Sequence, residues 1–244
     1  MTNENSTNTD KIKEKDFIEI DFVGRVKDGE VFDSTKKEDL EKLHEGHDHH
    51  VDAKPFTFSV GQGMFMKSLD EFLTGKEVGK EYDVELEPEK AFGKRDPSSV
   101  QRIPSNVFKE QKINPYPGAM FNFDGRIGKV LTVSGGRVIV DFNHALAGKD
   151  VVYKINVLRK VTDLNEKIKA VNNFLFKKDL DFEVNEKDKK ILIDTKGDNS
   201  TERMVELFKD KYKEILGFDV EAKKNQKEEK ESKADSNETE KGKN

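Results

Sequence analysis

The chain has 244 residues, enough for one large domain or two to three small ones, and carries 44 Lys and Arg against 49 Asp and Glu, a mixed charge that supports solubility and singles out no partner. It contains no cysteine and no tryptophan, which excludes disulfides, thiolate metal sites, thiol nucleophiles and iron–sulfur clusters, so any metal would need His or carboxylate ligands. No apolar run approaches the ~20 residues that span a bilayer, and the opening "MTNENSTNTDKIKEKD" lacks the apolar core of a signal peptide, so a cytoplasmic protein without membrane contact is expected.

Residues 1–14 are polar and aperiodic and are expected to be a disordered arm. From Phe17, "FIEIDFVGRV" alternates Ile18, Ile20 and Phe22 against Glu19 and Asp21, with Gly24 interrupting a strand pattern, and "DGE" at 28–30 turns the chain into Val31 and Phe32. Thr35 and Glu38 have the spacing of a capping box for a helix "KKEDLEKLH". The stretch "HEGHDHH" then holds His44, His47, His49 and His50. His47, His49 and His50 are too close in sequence for a preorganised site on one element; a loop could gather two or three of them on Ni²⁺ or Zn²⁺, or they form a solvated loop, and metal binding by the four stays open. "KPFTFSVG" alternates again through Phe56, Phe58 and Val60. "MKSLDEFLTG" places Met66, Leu69, Phe72 and Leu73 at helical spacing before Gly75, and "GKEYDVELEP" reads as a strand stopped by Pro88.

The following segment differs in character. Residues 90–140 contain short strand candidates, turns at "DG" and "GG", and a helix candidate "PSNVFKE"; nine Lys and Arg against three Asp and Glu make it net +6, leaving the rest near −11. This predicts a small basic β-rich insert inside an acidic parent, whose sheet resumes with "DVVYKINVLRKV" at 150–161. His144 in "NHALAG" is expected to make a structural bond where the insert rejoins that sheet. After Lys160 the pattern becomes helix, hairpin, helix: Leu164, Ile168, Val171 and Leu175 share one face, "LDFEV" and "KILID" flank the turn "NEKD", and Val205, Phe208, Tyr212 and Ile215 share a second face. Asn199 with Glu202 suggests a capping box for that second helix, which Gly217 ends. A unit this small could be completed by docking, so a homodimer through residues 162–217 is one arrangement considered. The tail from Glu221 carries seven acidic and seven basic side chains and no aromatic, and disorder is expected.

Taken in order, "VFDST", "KPFTFSVGQGMFMKSLDEFLTG", "VGKEYDVELEPEKAFG" and "VVYKIN" resemble the FKBP-type peptidyl-prolyl cis-trans isomerases, and the interruption after "EKAFGKRDPSSVQRIP" is similar to the insert-in-flap arrangement of SlyD-like members. The resemblance covers residues 16–160, and the C-terminal helix-hairpin-helix points to the long archaeal FKBP-type proteins. It implies an α+β fold: a half-wrapped antiparallel sheet around a short helix, formed by 15–89 plus 141–160, with an insert at 90–140, an α+β C-terminal domain at 161–220 and a charged tail at 221–244. It also implies a pocket lined by Phe22, Phe32, Asp33, Phe56, Phe65, Met66, Leu69, Phe92 and Tyr153, with Phe58, Phe72, Ile155 and Val157 assigned to core packing.

Six aromatics and one carboxylate suit X–Pro rotation, in which resonance sets a barrier of ~18–20 kcal/mol and no proton need be taken from substrate. A water-poor pocket that complements the twisted amide lowers that barrier by differential binding. No cofactor is expected. Two positions that are tyrosine in much of the family are Phe22 and Phe92 here, so Asp33 must find another donor. The insert is expected to act as a holdase arm for unfolded or nascent proline-containing chains through Ile103, Val107, Phe108, Met120, Phe121 and Phe123, some of which must instead form the insert's own core. Its charge would also suit RNA near a ribosome, but it lacks the interleaved aromatics and glycine motifs of an RNA reader. The alternative is a non-catalytic binding module whose pocket lost activity with its two hydroxyls.

Overall fold

The computed structural model describes residues 11–43 and 53–223. In chain order the elements are β1 Phe17–Val26, β2 Val31–Ser34, α1 Lys37–Leu43, β3 Phe56–Ser59, α2 Lys67–Leu73, β4 Glu81–Leu86, β5 Val100–Pro104, α3 Ser105–Glu110, β6 Met120–Phe123, β7 Arg126–Ser134, β8 Arg137–Asp141, β9 Val151–Lys160, α4 Leu164–Phe176, β10 Phe182–Asn185, β11 Lys190–Ile193, α5 Asn199–Leu207, α6 Lys209–Leu216 and β12 Asp219–Ala222. This is the expected α+β composition, with antiparallel pairs in each of three sheets and one parallel pair in the third. One sheet has the order β2-β1-β9-β4 with β3 also paired to β1, the second β5-β8-β7-β6, and the third β10-β11-β12. The described residues divide into two compact units, the first containing residues 11–21, 55–81 and 156–223 and the second residues 22–43, 53–54 and 82–155. The histidine stretch 44–50 lies outside the described residues.

In the first unit, β3 runs antiparallel to the start of β1, pairing Phe17 with Ser59 and Ile20 with Phe56. The period-two pattern is realised: Ile18, Ile20, Phe58 and Val60 are fully buried, as are Leu69 and Leu73 of α2. The expected arm at 1–14 does not extend to Ile12, which is 1% exposed; its N–H donates to the Lys76 carbonyl and its carbonyl accepts from the Gly75 N–H, so one apolar side chain in a polar run is enough to tie the segment down.

The C-terminal residues of this unit form α4 capped by Asp163, whose carboxylate accepts from the Glu166 N–H, followed by the β10–β11 hairpin. Three expectations are corrected here. The second helix is two, α5 and α6, broken at Phe208, which has φ −99° and ψ 9°. Its cap is Asp198, whose carboxylate accepts from the Ser200 N–H and the Thr201 hydroxyl, and Glu202 accepts instead from the Thr195 hydroxyl. Beyond Gly217 the chain adds β12 parallel to β11, burying Val220, so order extends to Lys223.

The second unit holds the insert. β5, β8, β7 and β6 pair antiparallel, and α3 closes a core of Phe108, Ala119, Val130, Val138 and Val140. Its neck is stapled: Arg95 binds Asp141 at 2.6 Å, Asp96 and Asn143 exchange two hydrogen bonds, and the Gly148 N–H donates to the Gly93 carbonyl. Among the described residues no helix is long and apolar enough to cross a membrane.

Candidate active site

The nine pocket residues fall into two groups, one in each unit. In the second unit, Phe22 and Tyr153 are buried and their ring centroids lie 6.1 Å apart. Phe32 stands edge-on to both Tyr153 (5.7 Å, 82°) and Phe92 (5.5 Å, 88°), the arrangement that sets a positive ring edge against a negative face. Gly24 makes this approach sterically open: a Cβ there would lie 2.9 Å from Tyr153 Cε1 and 3.0 Å from the Phe32 ring. The glycine that interrupts the strand pattern is thus the floor on which two site rings rest. The sequence assigns this glycine no role; the signal available there was a glycine in a strand pattern beside the turn that leads to Phe32.

Phe22 is held by its backbone. Its N–H donates to Thr35 Oγ1 at 2.9 Å and its carbonyl accepts from the Thr35 N–H at 3.0 Å. Thr35 therefore does not form the expected capping box with Glu38; Ser34 serves the start of α1 instead, its hydroxyl accepting from the Lys36 N–H and donating to Asp39.

Asp33 sits at the rim. Asp33 is exposed at the surface, and partial desolvation raises its carboxyl from the ordinary value, opposed by the neighbouring Ser34 backbone N–H. Burial, and then the Asp33 charge, push the Tyr153 phenol upward, so it stays protonated and offers an O–H. Phe92 is covered on one side by His144, with centroids 4.9 Å apart and planes 5° apart. The His144 Nδ1 accepts from the Leu146 N–H at 3.2 Å, the expected structural bond.

In the first unit, Phe56, Phe58 and Phe65 form a triangle with centroid separations of 5.1 to 5.4 Å. Leu69 is fully buried on α2, and Met66 is its N-cap residue. Phe58, Ile155 and Val157 are fully buried, in keeping with their assignment to core packing.

Neither group contains a nucleophile–base pair. What the rings and the protonated phenol can do is desolvate and shape-match an apolar ring while offering a hydrogen bond to a carbonyl.

The six insert residues separate. Phe108 is 2% exposed, and Ile103, Phe121 and Phe123 pack against it, so these four are the insert's core and not a client surface. Val107 and Met120 remain outside, at 40% and 64% exposure. The exposed Ile127 and the half-buried Leu131, which the sequence reading passed over, join Met120 on the outer face of the sheet.

Comparison with known proteins gives the following. The family model for the FKBP26 IF domain matches residues 101–146. The short-type peptidyl-prolyl cis-trans isomerase of Methanocaldococcus jannaschii is 34% identical over 146 residues, covering 60% of this chain and 92% of the relative. A probable FKBP-type 16 kDa peptidyl-prolyl cis-trans isomerase of Pseudomonas fluorescens is 28% identical over 58% of this chain and 86% of its own length. The FKBP-type isomerase SlyD of Haemophilus influenzae is 33% identical over 43% of this chain and 57% of its own.

Proposed function

This chain belongs to the FKBP-type peptidyl-prolyl cis-trans isomerases, and from that premise we propose which residues turn over X–Pro bonds and what the insert adds. The residues proposed to serve substrate are Phe22, Phe32, Asp33, Phe92 and Tyr153 in the second unit and, as a separate group, Phe56, Phe65, Met66 and Leu69 in the first. The observation that supports it is the edge-to-face grouping of Phe32 with Tyr153 and Phe92 over the bare backbone of Gly24, beside a carboxyl and a phenol that are both partly dehydrated.

A planar prolyl amide carries charge separation that water stabilises; the twisted form has lost resonance and is less polar. A site that excludes water and fits the twisted form binds it more tightly than the planar one, which is the whole of the catalysis required. The Tyr153 O–H is the donor proposed to hold a substrate carbonyl, and Asp33 shapes the rim without taking a proton. The insert adds a holdase function, presenting unfolded proline-containing chains in a cytoplasmic setting. Support for this is the matched IF domain together with the exposed Met120 and Ile127.

NMR exchange on a proline tetrapeptide tests the assignment. Phe32→Ala should lower the exchange rate at least tenfold, about 1.4 kcal/mol of barrier. Asp33→Asn should cost less and leave the rate flat with pH across neutrality; a bell-shaped wild-type profile that vanishes in this variant would make Asp33 a general base and refute the scheme.

A further inference from the structure

The second unit carries a groove of about 790 Å³ on the outer face of the insert sheet. Its floor is Met120, Ile127 and Leu131, with Phe142 of the core packing reaching its edge; Met120 and Ile127 are each 64% exposed, although they sit on strands whose alternate residues build the core. Its rim is basic. Lys129 and Lys149 line it, and neither side chain has an acidic partner among the described residues. Asp141, the one acidic residue of the lining, is already neutralised by Arg95 at 2.6 Å. The groove continues to His144, whose ring lies on Phe92 of the proposed substrate set.

An apolar floor with unneutralised lysines selects by charge. Uncharged apolar chain gains only the floor, basic chain meets like charge at both lysines, and acidic flanks gain at the rim while their apolar centre fills the floor. Charge complementarity points the same way at longer range, because the insert segment at 90–140 is net +6 in a chain that is net −5.

We propose that this groove takes unfolded polypeptide in which an apolar anchor is flanked by acidic residues, with Lys129 and Lys149 as the selecting groups. The inference rests on the holdase reading and names the class of client that reading leaves open.

The test uses the full chain and fluorescein-labelled peptides sharing a Leu-Phe-Leu centre with either glutamate or lysine flanks, read by anisotropy. At low salt the glutamate-flanked peptide should bind about five- to tenfold more tightly, as expected for two solvated charge pairs. The gap should close near ~500 mM salt, where screening is nearly complete over a few ångströms. The double variant Lys129→Glu, Lys149→Glu, confirmed folded by circular dichroism, should reverse the order. Equal affinities, a gap that persists at high salt, or a gap that survives the double substitution overturns the inference while leaving the holdase reading standing. If that variant does not fold, Lys149→Gln replaces it and should roughly halve the gap; an unchanged gap counts against the proposal. If neither peptide binds and aggregation of an unfolded client is not suppressed, the holdase reading itself falls. A single-stranded RNA that outcompetes the glutamate peptide, and loses this on the same substitutions, would reassign the surface to nucleic acid.

Discussion

Asp70 shows how a single residue can couple to the site without touching substrate. It lies on α2, 4% exposed, one position after Leu69. Its carboxyl faces the backbone N–H groups of Gly61 and Gly63, which favour the charged form, yet its Oδ1 has no hydrogen-bond partner. Burial dominates and pushes it up to about 6, with Glu71 adding in the same direction. Glu14, Lys67 and Glu71 share the cavity it lines. Gly61 and Gly63 have φ of +76° and +69°, conformations suited to glycine, and the loop they begin delivers Phe65 and Met66. The sign of the linkage follows from the raised value. The folded state holds the proton more tightly than the unfolded chain, so this group favours folding below about pH 4 and that advantage is lost as pH rises through about 6. A shift of this size corresponds to roughly 2–3 kcal/mol. Denaturant titrations of wild type and Asp70→Asn between these pH values should therefore diverge, wild type losing stability relative to the variant as pH rises; parallel curves would show that Asp70 does not titrate there. Nothing in "KSLDEFL" marks this residue. An acid next to a leucine on a short helix reads as solvent-facing, and only the fold-back of the 61–66 loop buries it.

At the scale of elements, period-two patterning was enough to place β1, β4 and β9, because each buries alternate side chains. It could not say which face of an insert strand meets the core. Met120 and Phe121 are neighbours on β6, both large and apolar, and only α3 decides that Phe121 packs on Phe108 while Met120 stays outside. The same blindness explains the C-terminal helices: Val205, Phe208, Tyr212 and Ile215 keep helical spacing across the break, since Phe208 caps α6 and still packs its ring 6.1 Å from Phe176. β12 was missed because a four-residue edge strand with one buried side chain, Val220, carries almost no periodicity. The core assignment makes a prediction. Phe108 joins Phe121 and Phe123 in a cluster of rings at 5.8 to 6.5 Å, so Phe108→Ala should remove ~3–5 kcal/mol from the insert. Amide hydrogen exchange should then accelerate in β7 and β8 and stay slow at Ile18 and Ile20. Val107→Ala, at a position 40% exposed, should change the insert by less than about 1 kcal/mol. Equal effects of the two substitutions would place Val107, not Phe108, in the core.

For the whole molecule, the neck that holds the insert can be tested apart from the holdase role proposed for it. The neck is closed by Arg95 with Asp141, Asp96 with Asn143, and Gly93 with Gly148, and all the proposed substrate residues lie outside 94–147. Replacing residues 97–140 by a short Gly/Ser turn keeps every one of these neck partners and leaves His144 in place over Phe92. Loop-closure cost grows only slowly with length, so the short turn should not strain the neck. The shortened protein should therefore still exchange a proline tetrapeptide within about tenfold of wild type, ~1.4 kcal/mol of barrier. A proline-limited refolding protein should lose much more under the proposed holdase role, in which the insert holds unfolded chain near the site, because linked sites typically gain ~10²–10⁴ in effective concentration. Suppression of aggregation should disappear with it. Refolding assays run beside tetrapeptide exchange separate the two functions directly: equal losses on both substrates, in a variant whose circular dichroism shows it folded, would mean that the insert helps to build the isomerase site, and that Phe92 with its His144 cover depends on residues beyond the neck.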